Sequence, residues 1–208
     1  MNLMTAAAFG PLCAATSEEV KRPVSPVVRE TTEKEVAEKN VSKGIGGTYE
    51  IRVRFLKRMD NLKYADAPVV KTYVKSLQRR IHHNFIAPYD EQFDKKVGKA
   101  MKAYAKEVDS AKVILMRDVT LLGSGKEGFL MTTRGFYGKN TLEKPYYCDY
   151  KWIRMLEIVP STASGLYNLY AVTDAGRQEL GYSSHLDDLE REMLLLADLI
   201  CYIFGMSS

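Results

Sequence analysis

Residues 123–140 read GSGKEGFLMTTRGFYGKN, and Gly125-Lys126 invites comparison with a phosphate-binding loop. A loop of the G-x-x-x-x-G-K-S/T type cradles phosphates with backbone N–H groups and reaches the metal with a hydroxyl. Here Thr120 stands where the first glycine belongs, and Glu127 stands where the hydroxyl belongs. The glycines also lead into an alternating run, Phe129, Met131 and Thr133, rather than a helix. The stretch therefore reads as a hairpin turn with Lys126 at its tip, glycine supplying the positive φ that such turns need. His82-His83 is the histidine pair of the chain. Neighbours on a helix point about 100° apart and do not share a metal as i,i+4 ligands do. Cys13, Cys148 and Cys201 have no histidine near them in sequence. No Ser-His-Asp order, paired-carboxylate motif or dinucleotide fingerprint is present. No catalytic, cofactor-binding or metal-binding residue is expected, and no cofactor.

The residue types that remain are those of binding. The chain carries 30 Lys+Arg against 26 Asp+Glu, and the excess is local. Residues 51–110 hold 14 basic and 7 acidic side chains, whereas residues 111–208 hold 10 and 12. Lys75, Arg79, Lys99 and Lys102 fall in two helical stretches of that basic block. If the two helices pair antiparallel, these cations line one outer surface that would attract phosphate backbones without reading sequence. Few aromatics interleave with them, so stacking on bases is not indicated. The second candidate surface is aromatic. In YYCDYKW, residues 146–152, strand alternation turns Tyr146, Cys148, Tyr150 and Trp152 one way and Tyr147, Asp149 and Lys151 the other. With the first set inward, Tyr147, Tyr167 and Tyr170 are left to enrich a partner interface.

The elements that must position these residues follow from periodicity. Residues 1–47 mix Pro, Ser, Thr and both charges with few large apolar side chains, and read as a flexible, disordered arm. In TYEIRVRFL, residues 48–56, Tyr49, Ile51, Val53 and Phe55 alternate with charges, which favours a half-buried strand over a helix start. A helix is expected over 67–85, with Val69, Tyr73, Leu77, Ile81 and Phe85 at spacing four and Pro68 in its first turn. A second is expected over about 90–108, on a stripe of Phe93, Val97, Met101, Tyr104 and Val108. After Ser110, β-rich runs alternate with turn signals, and residues 184–204 form a strong amphipathic helix on Leu189, Met193, Leu196 and Ile200.

That order of elements resembles the pleckstrin-homology layout. The sequence is similar to bacterial proteins with a PH-like domain in KKVGKAMKAYA (95–105), VILMRDVTLLGSGKEGFLMTTRGFYGK (113–139) and EKPYYCDYKWI (143–153). The similarity covers residues 90–204. It implies an α+β chain: a helical N-terminal part, then a PH-like antiparallel β-barrel or sandwich closed by a C-terminal α-helix. The organisation expected is an arm over 1–47, a strand and basic helical segment over 48–109, and the PH-like domain over 110–208. In such domains the first hairpin loop often binds inositol phosphates, and Lys112, Arg117, Lys126 and Arg134 would form a thin version of that basic loop; the reading favoured for it here is a solvated turn. The function it implies is non-enzymatic: a protein-binding adaptor or inhibitor module, of a mobile element or of a host regulatory system. Lys126, Tyr147, Tyr167 and Tyr170 are the partner-binding candidates. The alternative is nucleic-acid or anionic-surface binding through helices 67–108. Three widely spaced cysteines argue for a reducing compartment. No apolar run reaches the roughly 18 residues of a membrane span. A cytoplasmic location is expected.

Overall fold

The computed structural model describes residues 37–43, 49–59, 61–81, 84–120, 123–163, 165–181 and 183–206. The chain divides into Met1–Glu30 and Thr31–Ser208, and every described residue belongs to the second unit. His82 and His83 lie outside the described residues.

The described chain is α+β. Strands β1 (Ala37–Lys43) and β2 (Tyr49–Phe55) precede helix α1 (Ala67–Ser76), strand β3 (Phe85–Ile86) and helix α2 (Phe93–Tyr104). Strands β4 (Val113–Asp118), β5 (Gly128–Thr132), β6 (Gly135–Lys139) and β7 (Tyr146–Asp149) follow as a meander. A 3₁₀ turn at Tyr150–Trp152 leads into β8 (Ile153–Pro160), β9 (Tyr167–Thr173) and β10 (Gly176–Glu179), and helix α3 (Leu186–Ile203) ends the fold. Two antiparallel sheets result, in the orders β1-β2-β8-β9-β10 and β3-β4-β5-β6-β7. They are not closed into a barrel, because β3 and β7 remain as edges of one sheet and β1 and β10 as edges of the other. Tyr146, Cys148 and Tyr150 follow the expected alternation, and then the 3₁₀ turn carries the chain from β7 to the other sheet.

Both sheets contribute to one core. Val53 and Phe55 of β2, Leu156 and Ile158 of β8 and Phe129 and Met131 of β5 are all buried in it. A file of edge-to-face rings crosses it, with Phe129–Phe136 at 5.2 Å and Phe136–Tyr150 at 5.1 Å between centroids. Helix α3 lays Leu189, Met193, Leu196 and Ile200 into this core, which is the stripe its sequence announces. One buried ion pair fixes it: Arg117 of β4 reaches Glu192 of α3 at 2.8 Å, both side chains fully enclosed. Arg117 also donates to the Leu180 carbonyl at 3.3 Å.

The part before residue 110 differs from expectation in three ways. Residues 37–43, placed in a disordered arm, form β1 and pair with β2 in register from Ala37↔Phe55 to Lys43↔Tyr49. Strand β2 then pairs with β8, so the boundary expected at 109/110 runs through a shared sheet and a shared core. The helix expected over 67–85 ends at Ser76, and Phe85 instead pairs with Arg117 as a strand residue. Its buried face is Val70 and Val74, while Val69 is exposed. A valine-rich helix offers two adjacent stripes, and packing against β4 and α3 selects one.

Helices α1 and α2 do not form a pair that presents one surface. Side chains of β5 alternate, Phe129 and Met131 to the main core and Leu130 to a second one. Val70 and Val74 of α1 belong to the first, and Phe93, Val97, Ala100 and Tyr104 of α2 to the second. The two basic helices therefore cover opposite faces of the same sheet.

Candidate functional site

The glycine loop is closed by its own side chains. Asp118, the last residue of β4, accepts from Thr120 Oγ1 at 2.6 Å, and Lys96 Nζ lies 3.1 Å from its other oxygen. Thr120 Oγ1 in turn accepts from the backbone N–H of Ser124 at 2.6 Å. The N–H of Gly123 goes to the Thr120 carbonyl. The N–H groups of Gly123, Ser124 and Gly125 are thus turned inward on Thr120. Gly128 has φ +112°, and a Cβ there would stand 2.0 Å from the Arg117 carbonyl oxygen, so the glycine is required by close strand approach. Lys126 is exposed at the tip of the loop.

A different place gathers the chemistry. Strand β7 is the edge of its sheet; among the described residues it pairs with β6 alone. Tyr150 N donates to the Arg134 carbonyl at 3.0 Å, and Phe136↔Cys148 and Gly138↔Tyr146 are aligned below that bond. The alternation of an antiparallel ladder then turns the N–H and C=O of Tyr147 away from β6. Tyr147 is 38% exposed and packs on Tyr137 across the strand pair, the rings 4.4 Å apart and tilted by 33°. Trp152 is 54% exposed and meets the Tyr147 ring edge-on at 6.2 Å. Alternation alone would send Trp152 inward with Tyr150. The 3₁₀ turn, capped by Asp149 accepting from Lys151 N at 2.9 Å, rotates it outward instead.

Asp149 is the centre of this edge. Its Oδ1 accepts from Tyr64 Oη at 2.5 Å, and its Oδ2 accepts from Tyr147 Oη at 3.0 Å. Burial, together with the Asp149 carboxylate, pushes the phenol of Tyr64 well above its ordinary range. Burial and the same carboxylate do so for Tyr147. Both remain hydrogen-bond donors under physiological conditions, which suits positioning rather than proton transfer. Tyr64 packs on Phe204 at 5.2 Å, with Lys151 Nζ 4.9 Å and the Arg134 guanidinium 5.9 Å from its ring centre. The turn before β6 holds Arg134 in place, as Thr132 Oγ1 accepts from the N–H groups of Arg134 and Gly135. Beside Tyr64 opens a cleft of about 890 Å³, whose walls include Lys63, Lys112, Arg134 and Lys151 against Asp66, Asp109 and Asp149.

The other sequence candidates do not join this surface. Tyr167 lies on β9 with Leu169 and Ala171 and packs against the core. Tyr170 lies on the opposite face of β9, bonded to Asn168 and Glu179. Tyr147 thus stands on one sheet and the other two tyrosines on opposite faces of the second. Lys75 and Arg79 are exposed on α1 and the 3₁₀ turn Gln78–Arg80, whereas Lys99 and Lys102 are exposed on α2, across the sheet. The expected single cationic surface is therefore split in two. Among the described residues, no three His, Cys, Asp or Glu side chains converge as a metal site, and no helix is long and apolar enough to cross a membrane. Cys148 and Cys201 are buried, which pushes each thiol up to about 12. Missed in the sequence were Tyr64, Tyr137 and the outward Trp152; Arg134 was named there, but as part of a basic loop rather than beside Tyr64. Asp149 followed by two residues and a tryptophan was the available signal, since Asp caps the short turn that everts it.

Comparison with protein families, with curated proteins and with solved structures finds no match to this chain.

Proposed function

We propose that the protein is a non-enzymatic binding module, an adaptor or inhibitor, that docks an extended segment of a partner protein on the β7 edge. The single observation that carries this is the exposed Tyr147–Trp152 pair standing over an unpaired strand edge. Tyr and Trp are the residues that anchor interfaces, and an open edge offers main-chain hydrogen bonds to an added strand. The 890 Å³ cleft gives the partner's flanking residues a place to settle. A PH-like reading is supported by the order of elements: a four-strand meander, a three-strand meander and a closing helix. A cytoplasmic setting agrees with the two buried, unpaired thiols.

The test is capture from nuclease-treated native extract with the parent protein and with Tyr147→Ala/Trp152→Ala, followed by reconstitution with the purified partner. Both residues are exposed, so the variant should keep the parent's circular dichroism and melting temperature. The expected result is one partner whose reconstituted affinity falls at least about tenfold in the variant. A partner that binds parent and variant equally would overturn the proposal.

A further inference from the structure

The residue Arg79, separated by the fold from Lys99 and Lys102, acquires neighbours that sequence did not suggest. A groove of about 420 Å³ runs between the 3₁₀ turn Gln78–Arg80 and α3, lined by Arg79, Arg80, Ile81, Arg191, Leu194 and Leu195. Its rim carries three guanidiniums, and no carboxylate is among those lining residues. Arg80 is engaged by Asp198 at 2.5 Å. Arg79 and Arg191 are exposed, and neither takes part in an ion pair or hydrogen bond among the described residues. Of the acidic side chains of α3, Glu190 meets Lys39, Glu192 meets Arg117 and Asp198 also accepts from Tyr73 Oη at 2.9 Å, while Asp187 and Asp188 lie in the first turn of the helix. The floor is aliphatic, with Leu194 36% exposed between its two buried or half-buried neighbours Leu195 and Ile81.

From this we infer that the groove is a second binding site, for an acidic segment of a protein that carries an aliphatic anchor between its carboxylates. Charge complementarity selects the sign. Arginine forks receive carboxylates in pairs and are enriched where proteins meet, unlike lysine. The aliphatic floor selects a peptide over a nucleic acid, because a phosphate backbone has nothing to place against Ile81 and Leu194. A polyanion would also need a longer cationic track, and the next cations, Lys99 and Lys102, lie on the other face of the sheet. At about 420 Å³ the groove is small, so its ligand is a short motif. This site does not depend on the β7 edge; it is built from different elements and works with or without that docking.

The experiment uses the full chain and three fluorescent probes. One is a dodecapeptide alternating Glu with Leu, one the same peptide with Ser for Leu, and one a single-stranded DNA dodecamer. Binding is followed by anisotropy for the parent, for Arg79→Glu/Arg191→Glu and for Leu194→Ser. Circular dichroism verifies the fold of each variant, and the substituted side chains are exposed in the parent. The Glu/Leu peptide should bind the parent and lose at least about tenfold in affinity in the double variant. It should also weaken as salt rises from about 0.05 to about 0.5 M. The Glu/Ser peptide should bind the parent, and the Glu/Leu peptide should bind Leu194→Ser, each at least about threefold more weakly. Equal binding by parent and double variant, no binding of the Glu/Leu peptide to the parent, or tighter binding of the DNA than of either peptide would overturn the inference.

Discussion

Arg117 and Glu192 are the charged pair at the heart of the molecule, and their energetics are lopsided. Such a pair adds little over an apolar replacement, yet removing one partner strands the other in a medium that cannot solvate it. Glu192→Ala should therefore cost about 3–5 kcal/mol in urea unfolding. Arg117→Met/Glu192→Leu should recover much of that loss, and a double variant as unstable as the single one would contradict this account. Asp118 offers a second test at this scale. Burial pushes its carboxyl up, but the hydrogen bonds from Thr120 and Lys96 outweigh burial and hold it below its ordinary 3.8. A carboxyl depressed in the folded state stabilises fully above the unfolded value, and that contribution vanishes as pH falls through the folded value. The stability gap between the parent and Asp118→Asn should thus be open at about pH 7, begin to shrink as pH falls below 3.8 and vanish once pH has fallen through the folded value, by urea titration at each pH.

Helix α3 closes the core with a stripe that was plain in the sequence, and Leu196 is fully buried within it. Leu196→Asp buries a charge without a partner and should destabilise by about 4–5 kcal/mol, read as a large drop in melting temperature. An unchanged melting curve would remove α3 from the core. The same legibility holds for β2, whose alternation was clean, and for the strands of the β4–β7 meander. It fails where tertiary packing chooses between equal local options. Val69 and Val70 offered neighbouring stripes on α1, and only β4 and α3 decided between them. Strand β1 was hidden because AEKNVSK is exposed almost throughout and carries no apolar period; its pairing to β2 defines it. The docking edge was half legible. Tyr147 followed from alternation, but Trp152 depends on a three-residue turn, and Tyr64 reaches Asp149 from 85 positions away. The groove at Arg79 was not legible, since Arg191 comes from the last helix.

At the scale of the whole chain, the core has no seam at residue 110. Ile51, Val53 and Phe55 of β2 cover β8, and Val70 and Val74 of α1 fill the space against the other sheet. A fragment of residues 110–208 should accordingly lack a cooperative thermal transition, whereas the full chain should have one. Sharp dispersed amide resonances from that fragment would restore the smaller domain.

The placement of β2 also has a consequence in time. Ile51 pairs with Ile158, so a strand made early waits for one made about a hundred residues later. At synthesis rates of about 5–20 residues per second, that delay is roughly 5–20 s on the ribosome. Throughout it, Ile51, Val53 and Phe55 have neither β8 beside them nor the terminal helix that covers them. Pairing across such a span raises contact order and slows the final step of folding relative to the local meander β4–β7. The nascent chain is therefore most vulnerable to misassociation at its first apolar strand, and holding that strand apart until α3 emerges is a task the cell's chaperones inherit from the sheet order itself.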